Sequence, residues 1–219
     1  MYTPIEKNRS HKYGSNYWEV MSLKLNRKVK LFSDLEHDHW VLIESSPNII
    51  TFCEQPFFIK IYFEGTNYQS VPDMWIKQSD GTEFLVEIKY TNELDFNNPK
   101  NSKAIKKVKA YKQWCKLNNF KYLLRTEYTI RKNPIYLQNM KTILYSLKSY
   151  PQPTTSERDK LIDLIANQKM KISEIDSLLD LPSDRIRAMI YWLYYQGFVS
   201  ANFEKQLINN QTEVWIRNE

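Results

Sequence analysis

The sequence has few cysteines and no long apolar segment. Its two cysteines, Cys53 and Cys115, are too far apart for a metal knuckle and too few for a disulfide framework. This argues against redox and zinc chemistry. No apolar run approaches the roughly 18–20 residues of a membrane-spanning helix, and the polar start of the chain lacks the apolar stretch of a signal peptide. We therefore expect a cytoplasmic protein.

The composition is that of a folded protein. Of 219 residues, 42% are apolar and 14% aromatic, which is enough to fill a core and excludes disorder over most of the chain. The length allows one or two domains. We find no internal repeat and no low-complexity tract.

The net charge of +6 is unevenly distributed along the chain. Residues 33–99 carry 3 Lys and Arg against 12 Asp and Glu, whereas residues 100–132 carry 11 against 1. Residues 1–32 are also basic, at +5, and residues 154–219 carry −2. An acidic block between basic ones suits a carboxylate-lined site beside surfaces that hold a polyanion. The alternative is that the lysines only solvate helices.

The segment 149–155 contains two prolines and no charge, and has neither a helical nor a strand period. It therefore predicts a linker at 151–155 between a domain at 1–150 and a second domain at 156–219.

The first domain alternates helical and strand-like patterns. Helical periods cover 33–45, 100–118 and 134–150, and strand-like segments cover 57–63, 70–77, 82–90 and 121–126. This order predicts an α/β fold built on a mixed sheet.

The candidate chemistry lies in Asp73 and in the run Glu87-Ile88-Lys89. If 82–90 is a strand, Phe84, Val86 and Ile88 face the core, while Leu85, Glu87 and Lys89 share the opposite face. A hairpin partner that carries Asp73 would bring a second carboxylate beside Glu87, and two adjacent carboxylates resist joint ionisation unless a cation lies between them. Oxygen ligands suit Mg²⁺ or Mn²⁺. The alternative is a solvated charge pair on an exposed sheet face.

Two upstream residues have both a structural and a catalytic interpretation. Ser33 and Glu36 have the spacing of a capping box at the start of the first helix, which would occupy the same carboxylate that a metal would need. Gln55, in the run Glu54-Gln55-Pro56, either caps a turn or reaches the site.

The order of these motifs resembles the TnsA family, the endonuclease subunits of heteromeric transposases. The resemblance covers roughly residues 9–150. It rests on the run 22–29, on 33–36, on 43–52 and 54–56, and on Pro72-Asp73 and Val86-Glu87-Ile88-Lys89. Two departures, Met74 after the aspartate and Cys53 before the 54–56 run, affect no proposed ligand.

The resemblance implies a restriction-endonuclease-like fold of the PD-(D/E)xK nuclease superfamily that cuts the 5′ (non-transferred) strands at transposon ends. By position, the catalytic residues are Glu36, Asp73, Glu87 and Lys89; the first three would bind Mg²⁺, for which Mn²⁺ would substitute, and Gln55 would support them. The implied partners are DNA at the transposon ends, a TnsB-type transposase and a TnsC-type ATPase.

Residues 156–219 show a winged-helix order. Helical patterns at 156–168, 173–179 and 184–195 precede strands near 198–203 and 213–216, and Ser183 is the expected N-cap of the third helix. Arg185 and Arg187 are candidate phosphate contacts. Because the net charge of −2 opposes DNA binding, we expect this domain to dock a protein, and the resemblance suggests the TnsC-type ATPase.

The lysines of the helical segment 100–118 are the candidate DNA contacts: Lys103, Lys106, Lys107, Lys109 and Lys112. Two alternatives to the transposase subunit remain open at this stage. One is a stand-alone nuclease, such as a junction resolvase or a restriction enzyme, and the other is a non-catalytic DNA-binding adaptor.

Overall fold

A computed structural model of the chain describes residues 2–6 and 16–217. The segment that resembles the TnsA family starts near residue 9, and its residues 9–15 therefore lie outside the described residues. The chain divides into two compact units. The first consists of residues 1–44 and 49–132, and the second of residues 45–48 and 133–219.

The first unit contains two helices of three or more turns and eight strands among its described residues. The helices are α1 (Asp34–Ser45) and α2 (Ser102–Leu117), followed by a single-turn helix, α3 (Glu127–Ile130). The strands are β1 (Trp18–Ser22), β2 (Arg27–Leu31), β3 (Ile49–Glu54), β4 (Ile59–Phe63), β5 (Thr66–Ser70), β6 (Met74–Gln78), β7 (Glu83–Ile88) and β8 (Lys121–Arg125).

A four-stranded mixed sheet in the order β3-β6-β7-β8 forms the centre of this unit. The β3/β6 and β6/β7 pairs are antiparallel and the β7/β8 pair is parallel. Helix α2 connects the two parallel strands, as a crossover between parallel neighbours requires. The predicted mixed-sheet α/β architecture is confirmed.

One detail of the predicted sheet is wrong, because both faces of β7 are covered. Leu85 is fully buried, and it packs in a cluster with Ala110, Tyr111 and Cys115 of α2. The face that alternation assigned away from the core, which also carries Glu87, therefore lies under a helix. Strict alternation is expected in a sheet with one solvent-exposed face, whereas a central strand in an α/β fold is buried on both faces.

Two hairpins, β1–β2 and β4–β5, form separate two-stranded sheets. The sequence patterns did not predict the first. In the second, Ser70 pairs with Ile59, so it ends β5 instead of beginning the next strand as predicted. The buried side chains Ile59 and Ile61 of this hairpin join the cluster around α2.

The second unit contains four helices and a three-stranded sheet among its described residues. The helices are α4 (Pro134–Ser149), α5 (Thr155–Ile165), α6 (Ile172–Leu178) and α7 (Ser183–Tyr195). The strands β9 (Met170–Lys171), β10 (Val199–Ala201) and β11 (Glu213–Ile216) pair in the order β10-β11-β9. The predicted buried stripe of α7, Ile186, Met189, Ile190 and Leu193, is confirmed.

Ser183 is not the N-cap of α7. The helix begins at Ser183 itself, and the preceding Pro182 occupies the N-cap position without a side-chain cap bond. A proline in extended conformation ends the preceding loop here, which moves the helix start by one residue.

Helix α4 belongs to the second unit, so the units divide near residue 133, not at 151 as the proline-rich segment suggested. Residues 151–154 form no helix or strand, as expected of a linker, but α4 before them packs with α7. The buried Asn139 donates to the carbonyl oxygens of Phe203 and Gln206, both at 2.8 Å, and accepts from the backbone N–H of Ile208 at 3.0 Å. Side-chain contacts of this kind leave no signal in local sequence patterns.

None of the helices among the described residues combines the length and apolar character needed to cross a membrane.

We predict that Asn139→Ala destabilises the second unit by about 2–3 kcal/mol, because it leaves one buried and two half-buried backbone groups without their partner. Urea unfolding followed by circular dichroism measures this as a lower midpoint. The matched control is Gln138→Ala, an exposed position on the same helix that should shift the midpoint by no more than about 0.5 kcal/mol. Equal midpoints for the two variants would contradict the anchoring role of Asn139.

Candidate active site

Asp73 is held in place by backbone contacts with two other strands. Its N–H donates to the carbonyl of Val86 at 3.0 Å, and its carbonyl accepts from the N–H of Gln55 at 3.2 Å. Its Oδ2 accepts from the N–H of Ile88 at 2.7 Å. The Asp73 carboxylate therefore lies at the end of β7, at the start of β6.

Glu87 is the second carboxylate at this point. Met74 pairs with Val86, so Asp73 comes opposite Glu87 one residue beyond the paired strands, as the hairpin argument predicts. Glu87 is 2% exposed, and its Oε2 is buried without a hydrogen-bond partner. Burial, together with the negative charge of Asp73, raises the pKa of Glu87 to about 7.

Lys89 forms an ion pair with Glu87, with 3.1 Å between Nζ and Oε1. Nζ also donates to the carbonyl of Ile88 at 3.1 Å. Burial disfavours the charged ammonium, but the negative charges of Asp73 and Glu87 outweigh it and raise the pKa of Lys89. Lys89 is therefore cationic at neutral pH.

The strand that precedes the site contains a strained residue and a buried ion pair. Gln55 is buried and adopts a positive φ of 38°, a backbone conformation uncommon for glutamine. Its N–H donates to the carbonyl of Asp73, so the backbone of Gln55 helps to position the site. A supporting role for its side chain stays a prediction.

Glu54, beside it, is 1% exposed and forms a bidentate ion pair with Arg27 of β2 at 2.6 and 2.7 Å. Sequence reasoning noted Glu54 only as part of a motif and missed this pairing. A glutamate that is buried in a strand needs a cationic partner. Its position at the end of a mostly apolar strand is the signal that would have suggested such a partner.

The contacts of Glu36 are those of a helix-capping residue, the structural one of its two interpretations. Its N–H donates to Ser33 Oγ at 3.1 Å, and its Oε2 accepts from the N–H of Phe32 at 3.0 Å, in the manner of a capping box. Across residues 2–6 and 16–217, no three Asp, Glu, His or Cys side chains are grouped tightly enough to hold a metal ion. The role of Glu36 as a third ligand stays a prediction.

The five candidate DNA-binding lysines of α2 have different surroundings. Lys106 lies 3.9 Å from Glu64, and Lys109 lies 6.0 Å from the ring centre of Phe96. Lys103 and Lys112 are exposed. Lys107 is half-buried, and its positive charge partly offsets the rise in the Glu87 pKa.

The position of Lys107 follows from the direction of α2. As the crossover between two parallel strands, α2 runs antiparallel to β7, and its Tyr111 belongs to the same core cluster as Leu85. One helical turn back from Tyr111 covers about 6 Å, nearly the rise of two strand residues from Leu85 to Glu87. We therefore expect Lys107 near the Glu87 end of β7, in agreement with its influence on the Glu87 pKa.

The donor set fits a divalent cation. Two carboxylates, those of Asp73 and Glu87, lie side by side, and the Ile88 carbonyl lies at the same strand end. Hard oxygen donors of this kind match Mg²⁺ or Mn²⁺. A cation there would remove the repulsion that raises the Glu87 pKa.

One family model matches the part of the chain that contains this site. Residues 46–127 match the family model described as the TnsA-like endonuclease N-terminal domain. The matched segment includes Asp73, Glu87 and Lys89 as well as α2. No match was found among curated proteins.

We predict that Glu87→Gln stabilises the metal-free protein at alkaline pH. The unfolded chain releases the Glu87 proton near pH 4.5, whereas the folded protein keeps it up to about pH 7, so the wild type loses stability across this window as the pH rises. Glutamine cannot ionise and avoids this loss. In EDTA, the melting temperature of Glu87→Gln should exceed that of the wild type by a few degrees at pH 8, with a smaller difference at pH 5.

The control is Glu204→Gln, an exposed glutamate of the second unit, for which the difference should be negligible at both pH values. A melting temperature of Glu87→Gln that falls relative to the wild type as the pH rises would contradict the prediction.

Proposed function

Since this chain carries a TnsA-like endonuclease N-terminal domain at residues 46–127, we propose that it is the metal-dependent subunit that cuts the 5′ (non-transferred) strands at transposon ends in cut-and-paste transposition. The family match supports a DNA endonuclease role in Tn7-like transposition. The observation that carries the proposal is the pairing of Asp73 with Glu87 beside Lys89, inside the matched segment.

Asp73 and Glu87 would hold Mg²⁺, with Glu36 as a further candidate ligand. When bound, the ion supplies a Lewis acid for the scissile phosphate and lowers the pKa of a coordinated water. The carboxylates contribute a fixed, water-poor set of oxygens, and their backbone hydrogen bonds keep them aligned. The reaction joins a water oxygen to phosphorus and breaks the phosphorus–oxygen bond to the leaving strand, which takes up a proton.

Lys89 acts as a cation in this proposal. Its raised pKa and its ion pair with Glu87 favour neutralisation of charge on the phosphate over removal of a proton from water. It is held within 3.1 Å of both Glu87 Oε1 and the Ile88 carbonyl, which fixes the ammonium beside the carboxylate pair.

DNA would approach along the N-terminal half of α2. Lys103 and Lys107 lie one turn apart, on the same face as Tyr111 one turn further on, and we expect Lys107 near the Glu87 end of β7. Their charges suit phosphates near the bond to be cut. Lys106, Lys109 and Lys112 face other directions and would contact DNA more peripherally.

The second unit would dock a partner protein, which we propose is the TnsC-type ATPase, while a TnsB-type transposase acts on the 3′ ends. From α5 to β11 its elements follow the order helix, strand, helix, helix, strand, strand, which supports a winged-helix fold. Arg185 pairs with Glu157 at 2.6 Å and donates to the Pro151 carbonyl at 2.8 Å. An arginine satisfied inside its own unit offers little to DNA, which favours protein docking.

Asp73→Asn and Lys89→Ala should each lower 5′-strand cleavage at least about 100-fold, because each removes several kcal/mol of charge stabilisation at the reacting phosphate. The measurement is cleavage of DNA containing transposon ends, read on denaturing gels, in the presence of the proposed TnsB-type transposase and TnsC-type ATPase. Omitting those two proteins tests the stand-alone nuclease: robust cutting by the chain alone would favour it.

The matched control is Asp80→Asn, a carboxylate in the exposed turn at the opposite end of the β6–β7 hairpin. It should leave cleavage within about twofold of wild type. Full cleavage by Asp73→Asn or Lys89→Ala would overturn the assignment of the site.

Replacing both Lys103 and Lys107 with alanine should make DNA binding less dependent on salt. Each lost phosphate contact lowers the slope of log K against log salt by about 0.9, so the double variant should lose about 2. Fluorescence anisotropy from 50 to 300 mM NaCl measures the slope. The control replaces Lys160 and Lys205, exposed lysines of the second unit, and a slope equally reduced there would contradict the α2 binding path.

A further inference from the structure

Two tyrosines lie on the side of Glu87 that faces the protein interior. Tyr111 of α2 is 1% exposed and belongs to the cluster that contains Leu85. Tyr122 of β8 packs against it, with ring centres 5.0 Å apart in an edge-to-face arrangement. Leu85 pairs with Tyr122 in the sheet, so both rings lie on the face of β7 that also carries Glu87.

The hydroxyl groups of both tyrosines are buried without a hydrogen-bond partner. Glu87 Oε2 is in the same condition. A buried polar atom without a partner costs about 1–3 kcal/mol, so three of them around one carboxylate call for an explanation. Two are donors and the third is an acceptor, which makes them complementary.

The sheet register and the ring contact put both tyrosines on the Glu87 face of β7, and the pKa shifts of the phenols agree with this. The charge of Glu87 contributes to the raised pKa of both phenols, after burial as the main cause. Asp73 contributes in the same direction to both. The Cys115 thiol, whose pKa burial raises, also interacts with the Tyr111 hydroxyl, a contact that acts to lower that pKa, but sulfur is a weak acceptor.

We propose that Tyr111 and Tyr122 are positioning residues of the metal site. When Glu87 is ionised and the cation is bound, their hydroxyls turn to donate hydrogen bonds, which are not formed in this structure, to the inner oxygen of the Glu87 carboxylate, and so hold its other oxygen toward the cation. This rests on the proposed function, because it assigns the groups behind one of the proposed metal ligands.

The physical reason is that a carboxylate ligand needs both of its oxygens satisfied. In an exposed carboxylate, water would solvate the second oxygen. Glu87 is only 2% exposed, so the protein must supply the hydrogen-bond donors. Groups that hold a metal ligand from behind usually contribute a factor of about 10–100 in metal affinity. Two buried phenols on the same face of the sheet as Glu87, with their hydroxyls unpaired, are suited to that role.

A purely structural role for the hydroxyls predicts the opposite outcome. If they have no partner even when Glu87 is ionised, removing one relieves a desolvation penalty, so Tyr→Phe raises the melting temperature and leaves metal affinity unchanged. If they hold Glu87, Tyr→Phe weakens metal binding.

The experiment compares the full chain with Tyr111→Phe, Tyr122→Phe and the double variant. Isothermal titration with MgCl₂ and with MnCl₂ measures affinity, and thermal unfolding with and without 10 mM metal measures the stabilisation that binding provides. We expect each single variant to bind either ion about 10-fold more weakly or worse, with a smaller metal-induced rise in melting temperature. The EDTA melting curve reports that each variant is folded.

The matched control is Tyr136→Phe, which removes a hydroxyl bonded to Tyr194 at 2.9 Å within the second unit and should leave metal affinity unchanged. Wild-type affinity in both single variants and in the double variant would overturn the inference while leaving the proposed function intact. Absence of metal binding and of cleavage in the wild type would overturn both. Since the two tyrosines are on different elements, a variant that fails to fold leaves the other to decide.

Discussion

The burial of Glu87 beside the half-buried Asp73 carboxylate and Lys89 is the constraint on which the rest of the first unit depends. Antiparallel pairing of β6 with β7 brings Asp73 opposite Glu87, and α2 covers them from one side. Lys89 balances one charge, and the remaining one is expensive in the protein interior. The raised pKa of Glu87 records that cost. A divalent cation is the simplest group that removes it, which is why the same residues point to metal-dependent chemistry.

Helix α2 contributes both to the core and to the basic surface of this unit. Its inner face, through Ala110, Tyr111 and Cys115, completes the core above β7. Its outer surface concentrates lysines, and Lys107 lies on the boundary between the two. One helix therefore excludes water from behind the carboxylates and presents positive charge where a phosphate backbone would pass. The acidic and basic blocks of the sequence become two sides of one site.

The second unit uses charge differently. Its arginines form internal contacts: Arg185 with Glu157, and Arg187 with Asp176 at 3.8 Å. Helix α4 contributes buried residues and the Asn139 anchor to this unit, so an apolar core and polar side-chain bonds, more than surface charge, define it. The two units therefore differ in how they use their charged side chains.

The sequence by itself determined which chemistry is available and in what order it occurs along the chain. Alternation placed Glu87 and Lys89 together, and the turn-containing hairpin placed Asp73 beside them, because strand periodicity and short turns are local properties. Only the tertiary structure decided which surfaces are exposed to solvent. It put α2 over Leu85 and Glu87, brought Tyr111 and Tyr122 behind the site, paired Arg27 with Glu54 and moved α4 into the second unit. These depend on contacts between residues distant in the chain, and local patterns do not contain such contacts.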